Sequence, residues 1–216
     1  MTRAYIPQEI LAAAHERSAA RAARDWEAAD RLRGDIEAAG WRVIDAGTDF
    51  RLEPAHAPDR EEAGRVRYGR SAAVPSRLEE APAGLATVVL VATDDAAGVV
   101  RAVEGLRAGA PSDTSIVVVD DAPDSGAPGG GAPDGGLPDL GEPVEVVSTS
   151  ARLGQGAAWN VGIRRASAPI VILLDPSIEP TGDVVSPLVA ALEDPAVAVA
   201  GAFGFATDDL RRFRVV

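Results

Sequence analysis

The spacing of apolar positions divides the chain into three zones. Between Pro7 and Gly40, apolar and small residues recur at helical intervals: Leu11, Ala14, Ser18 and Ala22, then Trp26, Ala29, Leu32, Ile36 and Ala39. Asp25 stands as an N-cap before the second stripe and Gly40 as the C-cap that ends it. An antiparallel helical hairpin is therefore predicted, followed by two short β-like segments, WRVID and FRL. From Glu53 to Gly84, Pro, Ala, Arg and Glu follow one another without period, which predicts a linker. From Ala86 onward the pattern alternates. ATVVLVA is a buried strand, and Val99, Val100, Val103 and Leu106 mark a helix. SIVVV and VEVVS are strands, Gly156 to Ala166 is a helix, and PIVILL is a fourth strand. VVSPLVAAL reads as a further helix and AVAVAG as extended. Fully apolar strands alternating with helices predict an α/β domain with a mostly parallel sheet covered on both faces. The expected organisation is a hairpin over 1–53, a linker over 54–84 and the α/β domain over 85–216.

Composition narrows the field. Between Ala122 and Pro143, seven Gly and five Pro make 12 of 22 residues, which predicts a disordered loop. The net charge is −12 and all 21 basic residues are Arg. Such a chain lacks the positive surface that nucleic acid or an anionic membrane would require, so no nucleic-acid partner is expected. With no Cys, disulfides, thiolate metal sites and Cys nucleophiles are excluded. MTRAYIPQEI has no apolar signal core, and no run approaches the roughly 18 apolar residues of a membrane span. A cytoplasmic protein is expected, and peripheral attachment at the inner membrane face is compatible with the sequence.

The candidate chemistry lies at the strand ends. The first strand ends in Thr93, Asp94 and Asp95, the second in Asp120 and Asp121, and the fourth in Asp175. In an open α/β sheet, ligands bind beyond the carboxyl ends of the strands. Acids gathered there repel one another unless a cation or hydrogen-bond donors lie between them. Asp95 precedes a helix and reads as its cap; Asp120 and Asp175 read as site residues rather than turn residues. For an anion, Arg152 and the amides near Gly154 and Gly156 stand at a helix start, where N–H groups and the dipole favour phosphate. The same glycines suggest a dinucleotide fingerprint with Asp175 as the ribose acid. Trp159, where Gly or Ala is needed, and the distance from strand to first Gly weigh against it. A phospho-receiver reading of Asp94 and Asp95 fails for want of a Lys. His15 and His56, on a helix face and in the expected linker, read as solvated.

Four segments resemble family 2 glycosyltransferases, which have the GT-A (Rossmann-like) fold: VVLVATDDAAGVVRAVEGL, IVVVDDAPDSG, RLGQGAAWNVGIRRASAPIVILLDPSIEP and LEDPAVAVAG. The likeness runs from Thr87 to about Gly201, and Asn160-Val161-Gly162 is its most specific element. It implies a nucleotide-diphosphate sugar as partner and, by position, a nucleotide-sugar site that includes Thr93, Asp94, Asp120, Asp121, Arg152, Asn160 and Asp175. Asp120 would hold the base or ribose. The Asp-x-Asp element, which binds Mg²⁺ or Mn²⁺ in the family, is here Asp175-Pro176-Ser177, so the implied metal ligands are Asp175 and Ser177. Arg152 replaces an Asn common in the family, placed either to touch phosphates or to cover a surface. The implied chemistry is inverting sugar transfer, with the general base expected beyond Val216. The alternative is a non-catalytic module of the same fold that binds a ligand or partner.

The N-terminal segment LAAAHERSAARAARDWEAADRLRGDIEAAGWRVIDAGTDFRL is similar to the helical segment at the C-terminus of cysteinyl-tRNA synthetases. It carries no ATP-binding or zinc element, so the resemblance implies packing or contact with a protein partner rather than aminoacylation.

Overall fold

The computed structural model describes residues 5–47, 49–62, 64–121, 137–201, 205–206 and 214–215. The chain separates into two compact units, 1–58 and 59–216.

In the first unit, helices α1 (Gln8–Ala22) and α2 (Trp26–Ala38) form the expected hairpin. Asp25 caps α2 by accepting a hydrogen bond from the Ala28 amide at 3.0 Å, and Gly40 follows at φ +83°, a conformation that suits glycine. Strands β1 (Trp41–Ala46) and β2 (Asp49–Pro54) pair antiparallel beside it. The buried stripe of α1 differs from the expected one: Ile10, Ala14 and Arg17 face inward while Leu11 is exposed. An arginine takes an inward position because its guanidinium forks onto Asp45, at 2.8 and 3.1 Å, with Arg21 joining at 2.8 Å. That bonding from Arg17 holds the Asp45 carboxyl below the usual carboxylate range. His15 rests edge-on against Phe50, with ring centroids 5.0 Å apart.

The second unit is built on a six-stranded sheet in the order β3-β4-β7-β6-β5-β8. Its centre is β5 (Ala86–Ala92), β6 (Thr114–Asp120), β7 (Val144–Thr149) and β8 (Ile170–Leu174), all parallel. Helices α3 (Ala96–Gly109) and α5 (Val185–Ala191) cover one face, over Val88, Leu90, Ile116 and Val118. Helix α4 (Gln155–Arg165) covers the other, over Val89, Val91, Val117 and Val119. Successive strand residues point to opposite faces, so each fully apolar strand feeds both clusters.

Three expectations are corrected. Residues 54–84 are not a plain linker. They contain β3 (Arg60–Glu62) and β4 (Arg65–Tyr68), an antiparallel pair whose second strand lies parallel to β7. A 3-10 turn (Ser71–Ala73) leads to Val74, which is fully buried against α4, where Arg164 Nε donates to its carbonyl at 2.9 Å. The edge strand β3 is wholly charged, which resists wrong pairing, and β4 alternates over only four residues, so periodicity gives little sign of the pair. Next, PIVILL is not deeply buried throughout: β8 is an edge strand, and Leu173 is 49% exposed. Finally, AVAVAG forms no strand, and Val199 is 88% exposed.

Most of the glycine-rich loop, residues 122–136, lies outside the described residues. Its last part is ordered: Leu140 is buried, and the Arg107 guanidinium donates to the carbonyls of Leu140, Gly141 and Glu142. Two-residue strands β9 (Phe205–Ala206) and β10 (Arg214–Val215) pair antiparallel near the end of the chain.

Candidate functional site

Two clefts open at the carboxyl edge of the sheet, and they divide the acids. The first, about 400 Å³, is lined by Val91, Thr93, Asp95, Gln155, Trp159, Asp175, Pro176 and Ser177. Val91 belongs to the α4 face, so this cleft lies on that side. Asp95 is committed as the α3 cap, accepting from the Gly98 amide at 2.7 Å. Asp175 Oδ1 accepts from the Ser177 amide at 2.9 Å. The Ser177 hydroxyl, followed by that amide, pulls the Asp175 carboxyl below its ordinary range. Thus Asp175 and Ser177, the expected metal ligands, stand together but already bond to each other in a turn.

The second cleft, about 840 Å³, lies on the α3 face and is lined by Asp120, Ser148, Arg65, Arg67, Glu62 and the chain from Leu137 to Glu142, with Val144 and Val146 at its floor. Asp120 is 5% exposed, and Arg67 Nη1 stands 4.0 Å from its Oδ2. Asp120 and Asp175 end strands on either side of β5, about 10 Å apart by strand spacing.

The other expected site residues are placed differently. Asp121 is fully buried and lines neither cleft. Its oxygens accept from Thr149 Oγ1 at 3.0 Å, the Leu153 amide at 2.7 Å and the Gly154 amide at 2.9 Å. The amides expected to cradle a phosphate at the start of α4 therefore donate, at 153 and 154, to a carboxylate of the chain itself. Arg152 forks onto Asp94 at 2.6 and 3.1 Å, with both side chains largely exposed. Bonding from Arg152 lowers the Asp94 carboxyl from its usual range. Asn160 is exposed on α4 and lines neither cleft. Its motif partner Gly162 has a packing role: a Cβ there would fall 2.0 Å from Val89 Cγ1, so α4 approaches β5 only through glycine.

Sequence reasoning missed Arg65, Arg67, Glu62 and Ser148 in the larger cleft, and Gln155 and Trp159 in the smaller. The polar alternation of Arg65-Val66-Arg67-Tyr68 was the signal for the first group. Trp159 had signalled itself only as a misfit to the glycine fingerprint.

Divalent cations prefer several oxygen ligands. Among the described residues no group of three or more His, Cys, Asp or Glu is placed to hold a metal ion. Asp175 with Ser177 offers one carboxylate and one hydroxyl, so these residues do not form a cation site by themselves.

The sheet order, the helices on both faces and the acids at the carboxyl edge define a GT-A-like α/β domain. The family model "Glycosyl transferase family 2" matches residues 87–216, and the chain belongs to that family. A separate similarity links 53 residues, 24% of this chain, to a cysteine–tRNA ligase of Opitutus terrae (strain DSM 11246 / JCM 15787 / PB90-1), at 45% identity. The chain spans 12% of the length of that ligase. Among the described residues no helix is long and apolar enough to cross a membrane.

Proposed function

We propose that residues 59–216 bind a nucleotide-diphosphate sugar as the donor side of an inverting glycosyl transfer. The observation that carries this reading is the pair of clefts flanking β5, each with one strand-end acid. Asp120 takes the nucleoside, accepting hydrogen bonds from its hydroxyls. Thr93 and Ser177 lie toward the diphosphate, across a span that a nucleoside diphosphate bridges. Calorimetry with UDP, GDP and their sugars tests this, with Mn²⁺ present. At least one nucleotide is expected to bind, and Asp120→Ala to weaken it at least about tenfold, the size of one charge-assisted hydrogen bond. Equal binding by variant and parent would remove Asp120 from the site.

A divalent cation, typical of the family, would neutralise the leaving diphosphate when bound. With only Asp175 and Ser177 at hand, we expect Mn²⁺ to bind appreciably only together with nucleotide. Ser177→Asp is expected to raise Mn²⁺ affinity without nucleotide, and Asp175→Ala to abolish the metal dependence of nucleotide binding. Water proton relaxation during Mn²⁺ titration, with and without UDP, measures both. The second reading, a module that binds without catalysis, is favoured by one fact: Asp175 is already tied into its turn with Ser177. No relaxation enhancement from parent or variants would end the assignment of Asp175 and Ser177 to a metal.

A further inference from the structure

The unit of residues 1–58 has a thin core. Among its described residues the buried apolar side chains are Ile10, Ala14, Ala29 and Ile36, and the chain has no Cys to brace them with disulfides. Beside that core runs a groove of about 380 Å³. One wall is Ile6 and Leu11, before and within the first turns of α1; the other is β2, whose residues 50–54 all line it. Successive strand residues point to opposite faces, so a cavity lined by every one of them lies along the outer edge of the strand. Among the described residues no strand pairs with that edge. The Ala55 amide donates to the Gly40 carbonyl at 2.9 Å, and hydrogen-bonded pairs alternate along an antiparallel ladder. Arg42 with Glu53 and Ile44 with Arg51 are therefore bonded pairs, whereas Leu52 opposite Val43 and Phe50 opposite Asp45 are not. The N–H and C=O groups of Phe50 and Leu52, and the Pro54 carbonyl, consequently point away from β1 along the open edge.

We propose that this edge is a dimer interface, at which β2 pairs antiparallel with β2 of a second copy of the chain. Main-chain phase and charge together select the register. Outward-pointing residues must oppose one another, which puts the two-fold centre on a residue rather than between two. Centring on Arg51 or on Glu53 would set like charges face to face, which is unfavourable. Centring on Leu52 instead puts Arg51 of each copy opposite Glu53 of the other, so the strand is complementary in charge to its own reverse. Any other centre shortens the overlap to residues 49–51 or less. With Leu52 at the centre, that residue exchanges both main-chain bonds with its counterpart, and each Phe50 amide donates to the Pro54 carbonyl across the axis. Pro54 has no N–H to offer, so the pairing ends there. Within one chain Arg51 already meets Glu53 at 2.9 Å, but the pair is exposed and worth little, so its groups can turn to the second copy. Phe50 and Leu52 lie on the face of β2 that packs against the buried cluster of Ile10, Ala14 and Ile36. The second strand continues that face and brings the same two apolar side chains into the groove. The two-stranded sheets become one sheet of four, the open edge of β2 disappears, and the two-fold contact closes on itself.

Sedimentation equilibrium of the full chain tests this, applied to the parent, to Arg51→Glu, to Glu53→Arg and to an equimolar mixture of the two variants. Far-UV circular dichroism and thermal unfolding check that each is folded. The parent is expected to show a monomer–dimer equilibrium with a dissociation constant of about 1–100 μM, as suits an interface below the standard size. Each variant alone turns both cross-strand ion pairs into like-charge pairs and should dimerise at least about fivefold more weakly. In the mixture the strand of one variant meets the opposite charges of the other, so a heterodimer should form within about threefold of the parent's strength. The double variant Arg51→Glu with Glu53→Arg exchanges the charges within one chain and should restore dimerisation as well, which also decides the case if a single variant folds poorly. A parent that stays monomeric up to about 300 μM leaves the edge to another occupant and overturns the proposal. A dimer indifferent to both variants lies on another surface and overturns it too. A dimer that each variant weakens, but that neither the mixture nor the double variant restores, would show that Arg51 and Glu53 do not face each other, and the pairing falls. None of these outcomes bears on nucleotide binding, which rests on residues 59–216.

Discussion

Asp121→Ala is expected to destabilise the unit of residues 59–216 by about 2–4 kcal/mol, because several donors lose a buried acceptor at about 1–3 kcal/mol for each one left unpaired. The carboxylate is fully buried and accepts from Thr149 Oγ1 and from the amides of Leu153 and Gly154. Alanine takes the acceptor from the Leu153 and Gly154 amides and leaves Thr149 Oγ1 only the Asp120 carbonyl, at 3.2 Å. Each buried donor left unpaired costs about 1–3 kcal/mol, and solvent entering the β7–α4 connection recovers part of that. Asp121→Asn should lose less, because its carbonyl oxygen keeps one bond while its amide group turns a donor toward a donor. Urea unfolding, monitored by near-UV circular dichroism, gives the midpoint shift at constant slope. A variant within about 1 kcal/mol of the parent would show that the loop does not depend on this carboxylate. If such a stable variant lost nucleotide affinity, Asp121 would be a ligand group after all.

A comparable loss is expected at Gly162. Gly162→Val should cost about 3 kcal/mol, the upper end for overpacking, and Gly162→Ala somewhat less. An added Cβ meets Val89 at 2.0 Å from Cγ1 and 3.2 Å from both Cβ and Cγ2. Val89 is fully buried at the middle of β5, and a β-branched side chain has little rotamer freedom with which to yield. Helix α4 must therefore lift from the sheet, taking the smaller cleft's Gln155 and Trp159 with it. The diagnostic is compensation. In a double-mutant cycle, Val89→Ala should cost less in the Gly162→Ala background than alone, with a coupling of about 1 kcal/mol or more. Additive losses would mean that the contact is relieved elsewhere.

These two residues show where local reading stops. Asp121 looked like the companion of Asp120, because both end one strand. Adjacent strand residues face opposite sides, however. Asp120 opens into the cleft over the α3 face, while Asp121 turns toward the loop before α4. Gly162 looked like half of a motif whose other half, Asn160, would touch ligand. Helix geometry leaves Asn160 exposed and turns Gly162 onto β5. Asp94 and Arg152 were each assigned to the ligand, but chain segments 58 residues apart bring them to each other.

What the sequence determined by itself was whatever depends on a short span of chain. The apolar runs of β5 and β6 declared buried parallel strands, since only a sheet covered on both faces accommodates them. Asp25 and Asp95 announced helix starts, because a cap needs only the three residues that follow it. The acids at the strand ends followed from the same local pattern. The tertiary structure alone decided which cleft Asp120 and Asp175 enter, that Asp121 bonds to the loop before α4, and that β3 and β4 extend the sheet. Register and backbone pairing carry those decisions, and neither leaves a mark on side-chain sequence. Arg67, Ser148 and Asp120 line one cleft in a row only because three strands, distant in the chain, align at that register. Residues 60–62 and 65–68 pair through main-chain hydrogen bonds, and the edge strand Arg60–Glu62 is wholly charged and exposed, so only the short alternation from Arg65 to Tyr68 separates this segment from a loop.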